Sequence, residues 1–222
     1  MIRTFKLDNN PVSHTFFVTK HCAHKTGCIL SDQRSGTVAV LHTKYILKLV
    51  KGRSWHEYVR LLWGRSRLSK EVKGNSLMVR AGLRVPQLAE IGITVMPWKK
   101  DSYLGYYCME DMTDSGYCEL ENWLKQPGRT TGEIAAIIHA IASDIKKLMQ
   151  KKLVYTDINK RNIYINSDHE IAWIDTGISK YHFFTVAKFR KHHNKSLSKF
   201  IQLNKDIHLT EQQLWPLTDI LL

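Results

Sequence analysis

In "VYTDINKRNIYINSDHEIAWIDTG", residues 154–177, three oxygen-bearing side chains stand beside short apolar runs: Asp157, Asn162 and Asp175. Asp157 follows the first run, Asn162 stands five residues later, and Asp175 closes "IAWI". The runs "IYI" and "IAWI" flank the polar segment "NSDHE", a pattern that predicts a β-hairpin centred near Asp168. The spacing therefore predicts that oxygen-bearing side chains gather where this hairpin opens.

The register of the predicted hairpin brings the three side chains together. If Ile163 faces Trp173, then Asn162 and Asp175 meet at the open end, and a short loop keeps Asp157 close by. Hard oxygen donors suit Mg²⁺, and a carboxylate held apart from the metal can orient an attacking hydroxyl. Each residue alone is better explained as a turn former. The three residues together at these spacings favour a catalytic, metal-binding site.

Composition limits the class of protein. A chain of 222 residues suits one large domain or two small lobes, and it can bury a core without staples. The four cysteines form no Cys-x-x-Cys pair, which favours reduced thiols in a cytosolic setting. The N-terminal "MIRTFKLDNN" lacks the apolar core of a signal peptide. No apolar run approaches the ~18 residues that a membrane span needs.

The net charge of +13 is unevenly distributed. Residues 44–84 contain 11 Lys/Arg against two glutamates, and residues 176–205 contain seven Lys/Arg and no acid. Such surfaces predict a polyanionic partner: nucleic acid, an anionic membrane face or a phosphorylated substrate. A basic surface that serves only solubility is the simpler alternative, and charge alone does not choose.

The chain changes character near residue 110. Before it, "GTVAVL" and "YILKLV" predict a hairpin, "AEIGITVMPW" and "SYLGYYCMED" predict another strand pair, and residues 67–82 predict a helix that ends at Gly82. After it, "TTGEIAAIIHAIASDIKKLMQKK" places isoleucines on one face of a helix that Thr130 or Thr131 can cap. The prediction is an α+β fold with a β-rich part over 1–110 and a mostly helical part over 111–222.

The basic tail of the second part permits two interpretations. "FFTVAKFRKHHNKSLSKFIQL", residues 183–203, interleaves aromatic and aliphatic residues with cations. A helix of this kind can lie in a membrane interface with its apolar face in the lipid. It can also pack that face on the C-terminal part as an ordinary surface helix, and this second interpretation is slightly favoured.

The motif "DINKRN" followed by "DTG" resembles the catalytic loop and the metal-binding Asp-x-Gly of protein-kinase-like phosphotransferases. That resemblance implies a single kinase-like domain over 1–222 with two lobes, a β-rich N-terminal lobe and a helical C-terminal lobe. It implies that Asp157 is the catalytic aspartate and that Asn162 and Asp175 are Mg²⁺ ligands. ATP and Mg²⁺ are the implied cofactors.

The N-terminal half carries residues that the same resemblance assigns to ATP binding. Lys48, inside "YILKLV", looks like the strand lysine that holds the α- and β-phosphates. Its implied partner is Glu71 in the predicted helix, with Glu57 as the alternative. Met109 and Glu110, at the junction of the two parts, are also predicted to bind ATP.

A narrower resemblance concerns the substrate. "RSRLSKEVKGNSLMVRAGLRVPQLAEIG", residues 65–92, resembles a segment of the bacterial lipopolysaccharide core kinases, which phosphorylate heptose or 3-deoxy-manno-octulosonic acid (Kdo). There a Ser-Arg pair precedes the helix glutamate, and Gly-x-x-x-Pro follows, here Gly82 to Pro86. The implied substrate is the lipopolysaccharide core or a lipid-linked glycan. The implied location is cytoplasmic, peripheral on the anionic inner face of the inner membrane.

The sequence departs from the kinase pattern at several positions. Tyr155 and Thr156 replace the usual His-Arg, Thr176 replaces the phenylalanine of Asp-Phe-Gly, and Asn159 stands where protein kinases carry lysine. The segment "LSDQRSGTV" offers only Gly36 for a phosphate-covering loop. A kinase acting on protein or on another small molecule, or an inactive relative, therefore stays an alternative. Nucleic-acid binding is not favoured, because it leaves the aspartates without a role and no zinc-finger or stacking signature is present.

Overall fold

The computed structural model describes residues 2–3, 6–7, 17–19, 26–33, 36–41, 44–94, 103–175, 177–182, 185–205 and 209–221. The chain forms two compact units, one of Met1–Val72 with Pro86–Ser115 and the other of Lys73–Val85 with Gly116–Leu222. The first unit is rich in strands and the second in helices, which confirms the α+β class. The segment Lys73–Val85, which the sequence pattern assigned to the N-terminal part, belongs to the second unit.

Within the described residues, the first unit contains an eight-stranded sheet in the order β1-β3-β7-β8-β6-β5-β4-β2. Neighbouring strands are antiparallel except β2 and β4, which run parallel. The strands are β1 (Ile2–Arg3), β2 (Lys6–Leu7), β3 (Phe17–Thr19), β4 (Thr26–Gln33), β5 (Gly36–Leu41), β6 (Tyr45–Lys51), β7 (Leu88–Thr94) and β8 (Tyr103–Glu110). Both predicted strand pairs are confirmed, although residues 42–43 between the first two segments, and residues 95–98 and 102 of the other two, lie outside the described residues.

Strand β6 lies inside the sheet and separates two apolar clusters. Leu47 and Leu49 are buried in one cluster, whereas Val50 belongs to the other, which Leu68 of helix α2 joins. Successive strand residues point to opposite faces, so Lys48 shares the face of Val50. Helices α1 (Trp55–Leu62) and α2 (Arg67–Arg80) follow β6 along the chain.

Gly36 has a steric role at the start of β5. A Cβ atom at this position would lie 2.4 Å from the carbonyl oxygen of Leu49, closer than real side chains approach. The neighbouring strand therefore requires glycine here. Residues 34–35 of the segment predicted to cover phosphate lie outside the described residues, so the clamp remains a prediction.

The second unit is built around helix α4 (Thr131–Gln150). Its predicted apolar face is confirmed, with Ile137, Ile141 and Leu148 buried in the core. Thr130 caps the helix, and its hydroxyl oxygen accepts a hydrogen bond from the backbone N–H of Glu133 while the Glu133 carboxylate accepts from Thr130. The remaining elements are α3 (Leu120–Leu124), α5 (Val186–Lys205), α6 (Glu211–Thr218), β9 (Cys118–Glu119), β10 (Leu153–Tyr155), β11 (Ile163–Ile165), β12 (Ile171–Trp173) and β13 (Ile178–Lys180).

The hairpin predicted from residues 154–177 is confirmed in its register. Ile163 of β11 pairs with Trp173 of β12, and β9 adds a third strand. The ladder continues past the strands, because the Ile174 N–H donates to the carbonyl oxygen of Asn162 over 2.9 Å. The indole N–H of Trp173 donates to the Asp144 carboxylate of α4 over 2.9 Å, which fixes the hairpin against that helix.

The basic tail forms helix α5 and packs its apolar side inside the second unit. Phe189, Leu197 and Phe200 are buried, and the last two belong to the core around α4. This arrangement confirms the interpretation as an ordinary packed helix for these three residues. Phe184, the first aromatic residue that the interfacial interpretation used, lies outside the described residues.

Candidate active site

Lys48 and Glu71 form an ion pair inside the first unit. The Lys48 ammonium nitrogen lies 3.1 Å from a carboxylate oxygen of Glu71, and the two side chains are mostly buried. Glu71 also accepts from the Tyr107 hydroxyl over 2.8 Å and contacts the Arg67 guanidinium at 3.2 Å. These donors hold the Glu71 carboxylate on the face of β6 that carries Val50, where it positions the Lys48 ammonium group. The predicted pairing is present, and its role in ATP binding stays a prediction.

The alternative partner Glu57 is engaged elsewhere. Its carboxylate accepts a hydrogen bond from the backbone N–H of Arg53 over 2.8 Å, at the start of α1. Lys48 therefore pairs with the preferred glutamate, Glu71, rather than with this one.

Met109 and Glu110 end strand β8 and remain predicted ATP-binding residues. The Met109 side chain packs against the cluster that contains Leu104 and Tyr107. The Glu110 carboxylate accepts from the Gln87 N–H over 3.2 Å and from the Ser115 hydroxyl over 2.9 Å. Glu110 thus ties the end of the strand to the segments beside it.

Asp157 and Asn162 belong to one compact loop between β10 and β11. The Asn162 side-chain amide donates to the carbonyl oxygen of Asp157 over 3.0 Å, which closes the loop. Asn159 caps the short 3₁₀ turn Lys160–Asn162, because its side-chain oxygen accepts from the N–H groups of Arg161 and Asn162. This capping explains an asparagine at position 159. The loop leaves Asn162 buried and the Asp157 side chain 57% exposed.

Asp175 occupies a left-handed backbone conformation with φ of +54°. Residues other than glycine adopt it rarely, and aspartate is among the side chains that tolerate it. Its carbonyl oxygen accepts from the Gly177 N–H over 2.8 Å and from the Tyr155 hydroxyl over 2.6 Å. The Tyr155 hydroxyl lies 2.5 Å from the Ile174 carbonyl oxygen as well. Tyr155 therefore braces the backbone that carries Asp175.

Tyr155 is completely enclosed behind the loop. Burial, with the carboxylates of Asp175 and Asp157 nearby, raises the pKa of Tyr155 well above its ordinary value. The phenol therefore keeps its proton and donates throughout the neutral range. On the other side, Ser196 of α5 donates to the Tyr155 carbonyl oxygen over 2.6 Å, so α5 supports the brace.

Thr156 ties the same two segments together one residue further on. Its backbone N–H and its hydroxyl both donate to the Gly177 carbonyl oxygen, over 2.8 and 2.7 Å. Tyr155 and Thr156 thus fix the Asp-x-Gly segment beside the end of β10, where the Asp157–Asn162 loop begins. The sequence marked both residues only as departures from His-Arg, and residue 176 between the bonded groups lies outside the described residues.

Lys199 brings a cation to Asp157 from helix α5. Its ammonium nitrogen lies 3.9 Å from an Asp157 carboxylate oxygen, and both side chains are exposed. Such a pair is weak in water. It supplies positive charge beside the loop where Asn159 replaces the lysine of protein kinases. Sequence spacing gave no sign of this contact, since 42 residues separate the two positions.

The side chains of Asn162 and Asp175 are of the donor type that suits a magnesium ion better than a transition metal. No cluster of three His, Cys, Asp or Glu side chains exists in the part of the chain that the structure describes. An aspartate with an asparagine oxygen supplies hard ligands only, which matches the preference of Mg²⁺ for a few protein oxygens completed by water and phosphate. Since the Asn162 amide nitrogen donates to Asp157, its side-chain oxygen is the atom suited to a cation.

Comparison with known families places the chain. Residues 23–220 match the model of the Lipopolysaccharide kinase (Kdo/WaaP) family. The chain belongs to this family. The match covers most of both units and every predicted site residue, and it confirms the resemblance that residues 65–92 carried. No curated protein matches the chain.

Membership establishes that the protein is a kinase of lipopolysaccharide biosynthesis, with a lipopolysaccharide-related substrate. A kinase of this family implies ATP as the phosphate donor. The choice between heptose and Kdo does not follow from the match. Among the helices described here, none is both long and apolar enough to cross a membrane.

Proposed function

We propose that this kinase transfers the γ-phosphoryl group of ATP to a hydroxyl of heptose or Kdo in the lipopolysaccharide inner core. The observation that carries the proposal is the family match over residues 23–220. The Lys48–Glu71 pair and the braced loops of Asp157 and Asp175 support it, because both lie within the matched range. The family match carries the kinase reaction on lipopolysaccharide, and the proposal adds that the acceptor is a hydroxyl of heptose or Kdo.

Lys48 is proposed to neutralise the α- and β-phosphates of ATP, with Glu71 fixing its direction. The ion pair of 3.1 Å and the additional donors on Glu71 support this role, because an ammonium that is already positioned loses little entropy on binding phosphate. Met109 and Glu110 are proposed to contact the nucleotide at the end of β8.

Asn162 and Asp175 are proposed to hold Mg²⁺. Bound there, the ion would neutralise phosphate oxygens as negative charge shifts toward the leaving group. The chain contributes fixed oxygen donors: the loop closure positions Asn162, and Tyr155 and Gly177 hold the backbone of Asp175.

Asp157 is proposed to receive the acceptor hydroxyl. Its exposed carboxylate can accept a hydrogen bond from the sugar O–H and direct the oxygen toward the γ-phosphorus. As the sugar O–P bond forms, the bond from the γ-phosphorus to the ADP oxygen breaks, and the hydroxyl proton passes to Asp157. Lys199, 3.9 Å away, is proposed to add positive charge where the phosphoryl group arrives.

The proposed substrate places the protein on the cytoplasmic, inner face of the inner membrane as a peripheral protein. Lipopolysaccharide core is carried on lipid and is rich in phosphate. A basic chain of net charge +13 is attracted to such a surface, at about 1 kcal/mol for each nearby Lys or Arg.

Mass spectrometry of core material tests the proposal directly. Purified protein, ATP and Mg²⁺ are incubated with lipopolysaccharide core that lacks phosphate, and with a mixture of proteins as a competing acceptor. We expect a mass gain of one phosphate on the core oligosaccharide, and a gain at least about a hundredfold slower with Asp157→Asn. Labelling of protein without labelling of sugar would overturn the substrate assignment, and absence of transfer to any acceptor would favour an inactive relative.

A further inference from the structure

Helix α1 presents two apolar faces, and only one of them is used within the first unit. Tyr58 and Leu61 pack against the cluster that contains Val50 and Leu104. No residue of the helix is buried. A short surface helix normally packs its apolar residues against the core. The apolar residues of α1 that stay exposed therefore indicate a surface that binds a partner.

The outer face of α1 consists of Trp55, Val59 and Leu62, and Trp63, the residue that caps the C-terminal end of the helix, extends it. These residues stand zero, four, seven and eight positions along, a spacing that puts them on one side of the helix. Trp55 is 68% exposed, Leu62 83% and Trp63 66%. Two tryptophans and a leucine exposed on one side of a short helix differ from single apolar residues scattered over a protein.

Positive charge surrounds the outer face. Arg53, Arg60 and Arg65 are exposed, and within the described residues no carboxylate forms a salt bridge with any of them. Glu57 is the sole acid of the helix, and a backbone N–H occupies its carboxylate. The charge therefore complements an anionic surface.

We propose that the outer face of α1 docks the kinase on an anionic lipid surface, with Trp55, Leu62 and Trp63 inserted among the lipid headgroups and the arginines on the phosphates. The inference deepens the proposed function and rests on it for the reason that the enzyme visits a membrane. Tryptophan prefers this interface, and an amphipathic helix with a basic polar side is a common interfacial anchor.

Two observations favour lipid over another occupant. Helix α5, the other basic amphipathic helix, buries Leu197 and Phe200 in its own unit and offers no comparable apolar surface. Exposed arginines also flank the outer face, whereas Glu57 is the one acid of the helix, so two copies that met through this face would bring like charges together. A lipid surface satisfies both the apolar and the cationic parts.

Flotation of the full chain with vesicles tests the inference, with phosphatidylcholine vesicles compared with vesicles that also contain phosphatidylglycerol. We expect binding to the anionic vesicles. The triple variant Trp55→Ala/Leu62→Gln/Trp63→Ala should bind at least about tenfold more weakly. Arg60→Gln/Arg65→Gln should lose about fivefold per arginine on anionic vesicles only. Trp215→Ala is the matched control, since Trp215 is 65% exposed on α6 of the other unit, and it should bind as the wild type does.

Thermal unfolding and phosphorylation of a delipidated core acceptor complete the design. The triple variant should melt and phosphorylate the lipid-free acceptor as the wild type does. Equal vesicle binding by wild type and triple variant would overturn the inference. So would a wild-type dimer that the triple variant breaks while neither protein binds vesicles. Vesicle binding without any phosphate transfer would instead refute the proposed function and leave the docking surface standing.

Discussion

The predicted site residues form two groups that are held in place by different means, a charge-paired half in the first unit and a braced half in the second. In the first unit, Lys48 stands on an internal strand and Glu71 on a 14-residue helix, and side chains hold each other directly at 3.1 Å. In the second unit, Asp157 and Asp175 stand on loops, and neighbouring side chains bond the backbone that carries them. The first half depends on charge partners, and the second depends on braces.

This difference determines where substitutions should act. A change at a charge partner in the first unit should weaken nucleotide binding through Lys48. A change at a brace in the second unit should misplace a ligand that it never touches, because strained loop conformations persist only while their surroundings hold them. Each of the following experiments tests that contrast.

The largest effect is expected from Asp157→Asn. The amide keeps the size of the side chain but cannot take the proton of the acceptor hydroxyl, so kcat should fall on the order of 10² to 10⁴. Stability should change little, because the Asp157 side chain is 57% exposed. Steady-state kinetics with lipopolysaccharide core measures the loss. Asp168→Asn, in the exposed turn of the same hairpin, is the control, and an equal loss in both variants would remove Asp157 from the mechanism.

Glu71→Gln should lower kcat/KM for ATP by about ten- to hundredfold, because the buried Lys48 ammonium loses its carboxylate partner. The effect should appear mainly in the KM for ATP, while the KM for the acceptor stays close to wild type. Glu57→Gln is the matched control, since it neutralises the alternative glutamate, whose carboxylate accepts from the Arg53 backbone N–H. If both glutamine variants lost affinity for ATP equally, the ion pair would not be the cause.

The sequence predicted the charge-paired half better than the braced half. The pairing of Lys48 with Glu71 was implied by the resemblance to kinase-like phosphotransferases, whereas the Ile163–Trp173 register follows from period-two alternation about one turn. Tyr155 was visible only as a departure, because a brace to a backbone carbonyl leaves no pattern of charge or periodicity. Its partners lie 19 and 20 residues away and meet it only after β10 and the β11–β12 hairpin have formed.

The two basic amphipathic helices, α1 and α5, show the same limit of prediction from sequence. Basic and apolar residues interleave in both α1 and α5, so composition does not separate a packed helix from an unpartnered one. The sequence pattern directed attention to α5, whose Leu197 and Phe200 prove to be buried. Only the tertiary packing reveals that Trp55 and Leu62 of α1, together with Trp63 at its end, are largely exposed.

Tyr155→Phe tests the brace with a smaller expected effect. Removing the hydroxyl leaves the carbonyls of Ile174 and Asp175 without its hydrogen bonds, at a cost of about 1 kcal/mol in the free energy of unfolding. Activity at saturating Mg²⁺ should fall about tenfold or less, and the Mg²⁺ concentration for half-maximal activity should rise. The raised pKa of Tyr155 makes the difference independent of pH across the neutral range.

The Mg²⁺ titration separates positioning from plain destabilisation. Tyr117→Phe is the control, since the Tyr117 hydroxyl lies at a long 3.4 Å from Glu170 in the same unit. It should leave both stability and Mg²⁺ dependence nearly unchanged. A Tyr155→Phe enzyme that melts earlier but titrates with Mg²⁺ like the wild type would show that the tyrosine supports the fold without positioning Asp175.

Lys199→Met should give the smallest effect. It compares the exposed charge pair of the second unit with the mostly buried pair of the first. Here the braced half also uses one charge pair, but it is exposed and 3.9 Å long, whereas Lys48 and Glu71 are mostly buried. An exposed pair contributes about 0.2 to 1 kcal/mol, so kcat/KM should fall about two- to fivefold at low salt. Added salt should shrink the difference, because ions screen exposed charges, and Lys199→Arg should retain most of the activity. A loss that salt leaves intact would mean that Lys199 binds the phosphoryl group in a dry site, and the two halves would then rely on charge alike.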